Sequence, residues 1–295
     1  MFGCLVGSEM CIRDRDKGRR VGGRCSRRAL DDVVVTHGAR HVHDWPEWMK
    51  AWCDGENTVM VQDGSTTSLR LMDGPETIAG WLNGIDVVTG TTVVRIEQSD
   101  DQWHVHDEEG NRWEATGVVV TAPLPQLHRM MPGAPESWSN HAYRPTWSLV
   151  LAHGTPPPAA FRPTLENLGF EVEESDGTTG AVVHFPHDWS QSHLEDERTD
   201  VVQAFMDMTS GVDNEVLDWL KSATCQSHRW RYGRADALGV ESAFPRLVEA
   251  GDAWETPVGT GGAALRSGAW AAAHMAWQCS QHLRPASAPV QQTLF

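Results

Sequence analysis

The chain has 295 residues, 40% of them hydrophobic and 22% charged, with a formal net charge of −16 at pH 7. That length builds one large domain or two intertwined ones. The acidic balance argues against a nucleic-acid backbone or an anionic membrane as partner, because both require clustered Lys and Arg.

No apolar run approaches the length that spans a bilayer. The cysteines at 4, 11, 25, 53, 225 and 279 show no C-x-x-C spacing, so reduced thiols and a cytoplasmic location are expected.

Residues 1–15 resemble translated sequencing-adapter sequence and are expected to be a non-native tail. Asp31–Val35 then predicts a short strand, turning at Thr36-His-Gly-Ala-Arg40. Glu47–Cys53 predicts a short helix with Trp48 and Trp52 on one face. Thr58–Met72 is expected to be extended, with Asp63-Gly64 as a hairpin turn. Pro75 suits the first position of a helix running to about Asn83, where Gly84 ends it. A β-meander follows over 92–97, 102–106 and 112–115, turning at Asp107-Glu-Glu-Gly110. The β-branched run 117–121 suits a strand buried on both faces, stopped by Pro123 and Pro125.

Further along, strands are predicted at Trp147–Ala152, Ala181–Phe185 and Gln226–Tyr232. Helices are predicted at about 194–208 and 215–223, the second capped by Asp213. Arg246–Ala250 predicts a strand and Gly261–His282 a long Ala-rich helix.

Two stretches carry the chemistry. Asp16 lies five residues before Val21-Gly-Gly-Arg24. An acid there suits ribose hydroxyls, while Gly22 and Gly23 permit close backbone approach to phosphate and Arg24 neutralises it. Gly251-Asp252 follows a strand, where ligands of open α/β sheets bind. Gly261, Gly262 and Ala263 then open a helix whose positive end favours negative charge. Gly259-Thr-Gly-Gly-Ala-Ala264 also fits a primary dinucleotide fingerprint, but the second strand and acid that this needs are absent. The histidines show no firm metal-ligand spacing, so no metal is expected. No G-x-S-x-G elbow is present.

These residues resemble the renalase-like branch of the FAD-dependent amine-oxidase superfamily. The resemblance rests on Asp16 to Arg24, His37-Gly-Ala-Arg-His41, Thr91-Thr-Val-Val-Arg-Ile96, Val119-Val-Thr-Ala-Pro123, His228-Arg-Trp-Arg-Tyr232 and Gly251-Asp252…Ser267-Gly268, in the family's order. It implies an α/β fold in which a split, Rossmann-like FAD/NAD(P)-binding domain (16–44, 73–126, 240–284) receives an inserted, mostly antiparallel substrate domain (45–72, 127–239), with 285–295 a disordered tail. It implies FAD held by Asp16, Gly22, Gly23, Arg24, Val93, Gly251, Asp252, Gly261, Gly262 and Ala263. Arg40 and His41 are expected to tune the flavin, and Trp147 and Trp230 to line the substrate pocket.

The implied reaction takes a hydride from a dihydronicotinamide-type or amine substrate, with dioxygen as acceptor. Three departures from the family pattern stand out. The opening G-x-G-x-x-G loop is absent, so an N-terminally truncated or degenerate, non-catalytic flavoprotein is the alternative expectation. Arg40 stands where the family has Gln, and Asp73-Gly-Pro-Glu76 replaces Pro-Gly-Met.

Overall fold

The computed structural model describes residues 12–53, 55–63, 66–209 and 211–282. Alternating apolar residues build the largest layer, a four-stranded antiparallel sheet in the order Glu171–Ser175, Thr178–His184, Tyr143–His153, Thr224–Ala235. Side chains two apart along a strand share a face. Along Tyr143–His153, Trp147, Leu149 and Leu151 therefore point one way, into a core closed by Phe205, Val216 and Leu220 from the helices Arg198–Met208 and Asn214–Ser222. The intervening Val150 and Ala152 point the other way. They meet Leu30, Val33 and Val35 of the hairpin formed by Arg27–Leu30 and Val33–Thr36.

The sheet is thus covered by helices on one face and by a β-hairpin over part of the other. That hairpin belongs to the segment expected to hold the cofactor, yet its apolar side rests on the four-stranded sheet. Asp31, at φ 50°, makes its turn, which is why the strand begins at Val33 rather than Asp31.

A second core lies under the meander Val93–Ser99, Gln102–Asp107 and Arg112–Ala115. Ile96 and Trp103 pack there on Leu124 and Leu127 of the helix Leu124–Met130 and on Val120 and Leu247. Asp107 Oδ1 accepts the Glu109 and Asn111 N–H groups at 3.0 and 2.8 Å, fixing the meander turn. Among the described residues, parallel pairing is confined to two ladders: Arg13–Arg15 with Asp86–Val88, and Val118–Val120 with Leu247–Glu249. The last helix, Gly261–His282, lays Ala271 against Val248 and Ala250.

The architecture is therefore mixed α/β with mostly antiparallel sheets. Among the described residues, no helix is long and apolar enough to cross a membrane.

Several expected elements shift. Arg13–Arg15, within the segment expected to be a tail, pairs as a strand with Asp86–Val88. The helix placed at 194–208 begins only at Arg198, after a turn over Leu194–Glu197, and a separate short helix, His187–Ser192, precedes it. Asp213 does cap the next helix, accepting the Glu215 N–H at 2.8 Å. Glu47–Trp52 is a 3₁₀ turn that buries Met49, leaving Trp48 and Trp52 44% and 38% exposed. The hairpin Thr58–Asp63/Thr66–Leu71 forms as expected. Its Gly64 lies outside the described residues, as do 1–11 and 283–295.

Candidate functional site

A cleft of about 2940 Å³ opens among the described residues. It is bordered by residues 12–29, His37, Val93, the Val118–Val120 strand, Tyr143, His228 to Gly233 and the start of the last helix. Thirteen of the chain's 24 lysines and arginines border it, against four carboxylates. A protein of net charge −16 thus has a cationic interior face, which suits an anionic ligand.

The cleft's floor is fixed by one ion pair. The Arg24 guanidinium grips Asp252 with Nη1 on Oδ2 and Nη2 on Oδ1, both at 2.7 Å, and Nη1 also donates to the Gly233 carbonyl at 3.0 Å. The Ala235 N–H donates to Asp252 Oδ2 at 2.8 Å. Burial alone would raise the Asp252 carboxyl, but the Arg24 hydrogen bonds and charge, with the Ala235 N–H, hold it below the usual carboxylate value. One step back, Ser267 Oγ accepts the Gly251 N–H at 2.9 Å and lies 2.8 Å from the Gly251 carbonyl. The last helix is thereby tied to the Gly251-Asp252 turn. Tyr143 accepts the Leu124 N–H at 3.2 Å, and burial pushes its phenol up to about 12, so it stays protonated.

An imidazole–indole cluster forms another part of the wall. His37 and Trp230 rings stack at 5.4 Å, and His228 meets both edge-on, at 4.8 Å from His37 and 4.3 Å from Trp230. Trp230 Nε1 donates to Ser148 Oγ at 3.1 Å, which in turn hydrogen-bonds His184 Nδ1 at 2.7 Å. Arg28 Nη2 reaches His228 Nδ1 at 2.9 Å. Burial, then the Arg28 charge, lowers His37 to about 4. Burial, then His37 and Arg28, lowers His228 to about 3. Both rings are neutral at pH 7.

The sequence-derived candidates divide. Asp16, Gly22, Gly23, Arg24, Val93, Gly251, Asp252, Gly261 and Trp230 all border the cleft. Asp16 Oδ1 accepts the Gly18 N–H at 2.7 Å, shaping its own loop. Gly22 and Gly23 take φ of 108° and 48°, the left-handed range in which glycine is unstrained.

Gly262 and Ala263 have another role. A Cβ on Gly262 would sit 2.0 Å from the Asp44 carbonyl oxygen. Its N–H donates to His43 O, and the Ala263 N–H is capped by Thr260 Oγ1. Both are packing and capping positions. Gly262→Ala is accordingly expected to destabilise the fold by about 2 kcal/mol through backbone displacement, read as a lower midpoint in urea unfolding. An unchanged midpoint would mean that the 43–44 loop yields freely.

Arg40, His41 and Trp147 are not among the residues that line this cleft. Arg40 is buried and turns to the edge of the four-stranded sheet, where it pairs with Glu173 at 2.7 Å and Glu171 at 3.3 Å and donates to Thr36 O at 3.1 Å. His41 is on a strand paired with Thr66–Leu71 and hydrogen-bonds Ser68 Oγ at 3.1 Å. The 37–41 segment instead offers His37 and Ala39 to the cleft. Trp147 is 1% exposed in the helix-covered core, its Nε1 bound to His193 O at 2.9 Å. Its cross-strand neighbour is Arg229, whereas Trp230 pairs with Thr146. The two tryptophans therefore belong to opposite faces of one sheet.

The orphaned polar groups test whether a dinucleotide fits. Arg15 Nε and His37 Nδ1 are buried beside the cleft with no hydrogen-bond partner among the described residues. Lys17, Arg19 and Arg20 border it with no ion pair among those residues. Unsatisfied donors and unpaired cations over a volume of this size match a large, polyanionic, partly aromatic ligand.

Comparison with known proteins gives the following. A family model described as flavin containing amine oxidoreductase matches residues 49–276. Among solved structures, cyclohexylamine oxidase from Brevibacterium oxydans IH-35A superposes with a TM-score of 0.53 at 12% identity, over 74% of this chain and 55% of that one. The chain thus spans little more than half the length of that oxidase. The PF1083 protein from Pyrococcus furiosus superposes with a TM-score of 0.55 at 10% identity, over 90% and 91% of the two chains. No curated protein matches the sequence.

Proposed function

This chain belongs to the flavin containing amine oxidoreductases, and from that premise we propose that it is an FAD-dependent oxidoreductase acting on a small molecule held in the cationic cleft. The observation that carries the reading is the cleft itself, with thirteen basic residues against four acidic ones. The unpaired Lys17, Arg19 and Arg20 face the pyrophosphate in this reading. Asp16 contributes its free carboxylate oxygen to a ribose hydroxyl, and the peptide of Gly22-Gly23 passes close to phosphate. Asp252 is spoken for by Arg24, so the Gly251-Asp252 turn acts through its backbone. The Gly261 end of the 22-residue helix supplies positive potential to the flavin ring.

Residues 16–44, 73–126 and 240–284 form the cofactor-holding part on this reading, in a Rossmann-like arrangement whose parallel component is the two ladders. The sheet of 143–235 carries the substrate. Bound FAD would supply hydride acceptance from a dihydronicotinamide-type or amine donor, with dioxygen taking the electrons onward as hydrogen peroxide. The chain's own task is then alignment and exclusion of water more than acid–base chemistry. The neutral His37, His228 and Trp230 fit that task.

The test is the visible absorption spectrum of the purified chain after incubation with FAD and removal of free flavin. Retained flavin bands near one per chain are the expected result. A colourless protein would overturn the cofactor assignment for this chain and favour a binding module without catalysis.

A further inference from the structure

We propose that Arg28 and Arg198, beside the His37–Trp230 wall, receive a carboxylate or phosphate group of the molecule that enters this part of the cleft, so that its ligand is an anion rather than a bare cationic amine. The assignment of this wall to the substrate rests on the oxidoreductase reading above; the charge preference rests on the residues themselves.

The ion-pair pattern sets these two arginines apart. Arg24, Arg27, Arg229 and Arg231, all at the same cleft, each have a carboxylate partner: Asp252, Asp73 and, for the last two, Glu195. Among the described residues, no carboxylate lies within ion-pair distance of Arg28 or Arg198. Arg28 instead spends Nη2 on His228 Nδ1 at 2.9 Å and Nη1 on Gln226 Oε1 at 3.4 Å. Both are neutral acceptors, so its charge is uncompensated. Burial, and then the charge of Arg198, lowers Arg28 from the ordinary guanidinium value, so two like charges lie near each other with no carboxylate in ion-pair contact with either among the described residues. An anion in the gap would relieve that repulsion.

The hairpin explains why Arg28 is held there. Arg28 is opposite Val35 in the ladder, and Val35 is fully buried against the sheet. The strand therefore cannot roll to carry the guanidinium into solvent. On the same wall, His37 is 3% exposed and its Nδ1 has no partner. Trp230 offers apolar surface beside it. A protonated amine placed here would meet two guanidinium charges and two imidazoles that resist protonation. A carboxylate or phosphate would accept the fork-like N–H groups of a guanidinium.

The experiment uses four probes with one ring and different substituents: benzoate, phenyl phosphate, benzamide and benzylamine. Their dissociation constants are measured by ligand-detected NMR titration of the full chain without FAD, so that failure of the cofactor assignment leaves the reading intact. At least one of the two anions is expected to bind tenfold or more tightly than benzamide and benzylamine. Benzoate leading assigns a carboxylate, and phenyl phosphate leading assigns a phosphate. Arg28→Gln is expected to abolish the preference and Arg28→Lys to keep most of it, with far-UV circular dichroism unchanged in both. Arg198→Gln, at an exposed helix start, keeps the test valid if Arg28 variants fold poorly, and is expected to weaken the anion several-fold. Equal binding of all four probes, tighter benzylamine, or an anion preference that survives both Arg28→Gln and Arg198→Gln would overturn the proposal. A chain that binds benzoate through Arg28 yet retains no flavin would sink the oxidoreductase reading and leave this one standing.

Discussion

Replacing Arg24 with alanine is expected to lower folding stability by about 3 kcal/mol, the low end of the cost of stranding a buried charge. Asp252 is 5% exposed, and Arg24 is the one cation that pairs with its carboxylate among the described residues. The Ala235 N–H would be left as a neutral donor to a charge that burial opposes. Because the Arg24 side chain is 40% exposed, water offsets part of the loss, which is why the low end applies. Three distant segments meet at this point, around Arg24, Gly233 and Asp252, so the effect spreads to both sides of the cleft. Thermal unfolding followed by circular dichroism is the measurement. Arg24→Lys should recover only a fraction, since an ammonium cannot make both contacts in parallel. If Arg24→Ala melts within roughly a degree of the parent, where a 3 kcal/mol loss would shift it by several degrees, the pair contributes little.

Acid should unfold the protein through His37 and His228. Both imidazoles are lowered in the folded state, to about 4 and about 3, from an ordinary 6.5. The unfolded chain therefore binds protons that the folded chain refuses, and stability falls as pH drops below 6.5. The stabilisation is complete above that value and is progressively lost down to about pH 3–4. One pKa unit is about 1.4 kcal/mol. Because the two rings repel each other's protonation, a combined loss of about 3 kcal/mol at pH 4 is a conservative expectation. The groups facing them are Arg28, Arg198 and His184, with no carboxylate among the causes of either shift. His37→Asn should flatten the urea midpoint's dependence on pH between 6.5 and 4. A parent and variant with parallel profiles would refute the assignment of the acid response to this cluster.

Where local chemistry decides an element, the sequence was readable. Asp213 caps its helix, the meander turns at Asp107, and the Thr58–Leu71 hairpin forms, each from signals within a few residues. Arg24 and Asp252 could be singled out separately as cofactor contacts, but nothing in 227 intervening residues announces that they bind one another. Pairing across that distance is a property of the folded chain. Trp147 and Trp230 illustrate the same limit. Each is a tryptophan on an apolar strand, and only the register, with Trp147 opposite Arg229, sends one to the helix side and the other to the cleft.

His37 belongs to the same His37-Gly-Ala-Arg-His41 motif as Arg40 and His41. In the structure the segment offers His37 and Ala39 to the cleft and turns Arg40 away, to Glu171 and Glu173 on the sheet's edge. A strand such as Glu171–Ser175, acidic at three of five positions, carries too little apolar alternation to be seen, yet it is the partner that claims Arg40.

The concentration of cations around the cleft leaves the remainder of the surface far more acidic than the whole-chain figure of −16 suggests. The border of the cleft is thus net positive while the rest of the chain is net negative. A long polyanion meets repulsion along most of its length before any segment can reach the interior, whereas a small anion is repelled only until it finds the mouth. Added salt weakens both the outer barrier and the inner attraction within a Debye length of about 8–10 Å. Capture by the cleft is therefore a filter on the size of an anion as much as on its sign.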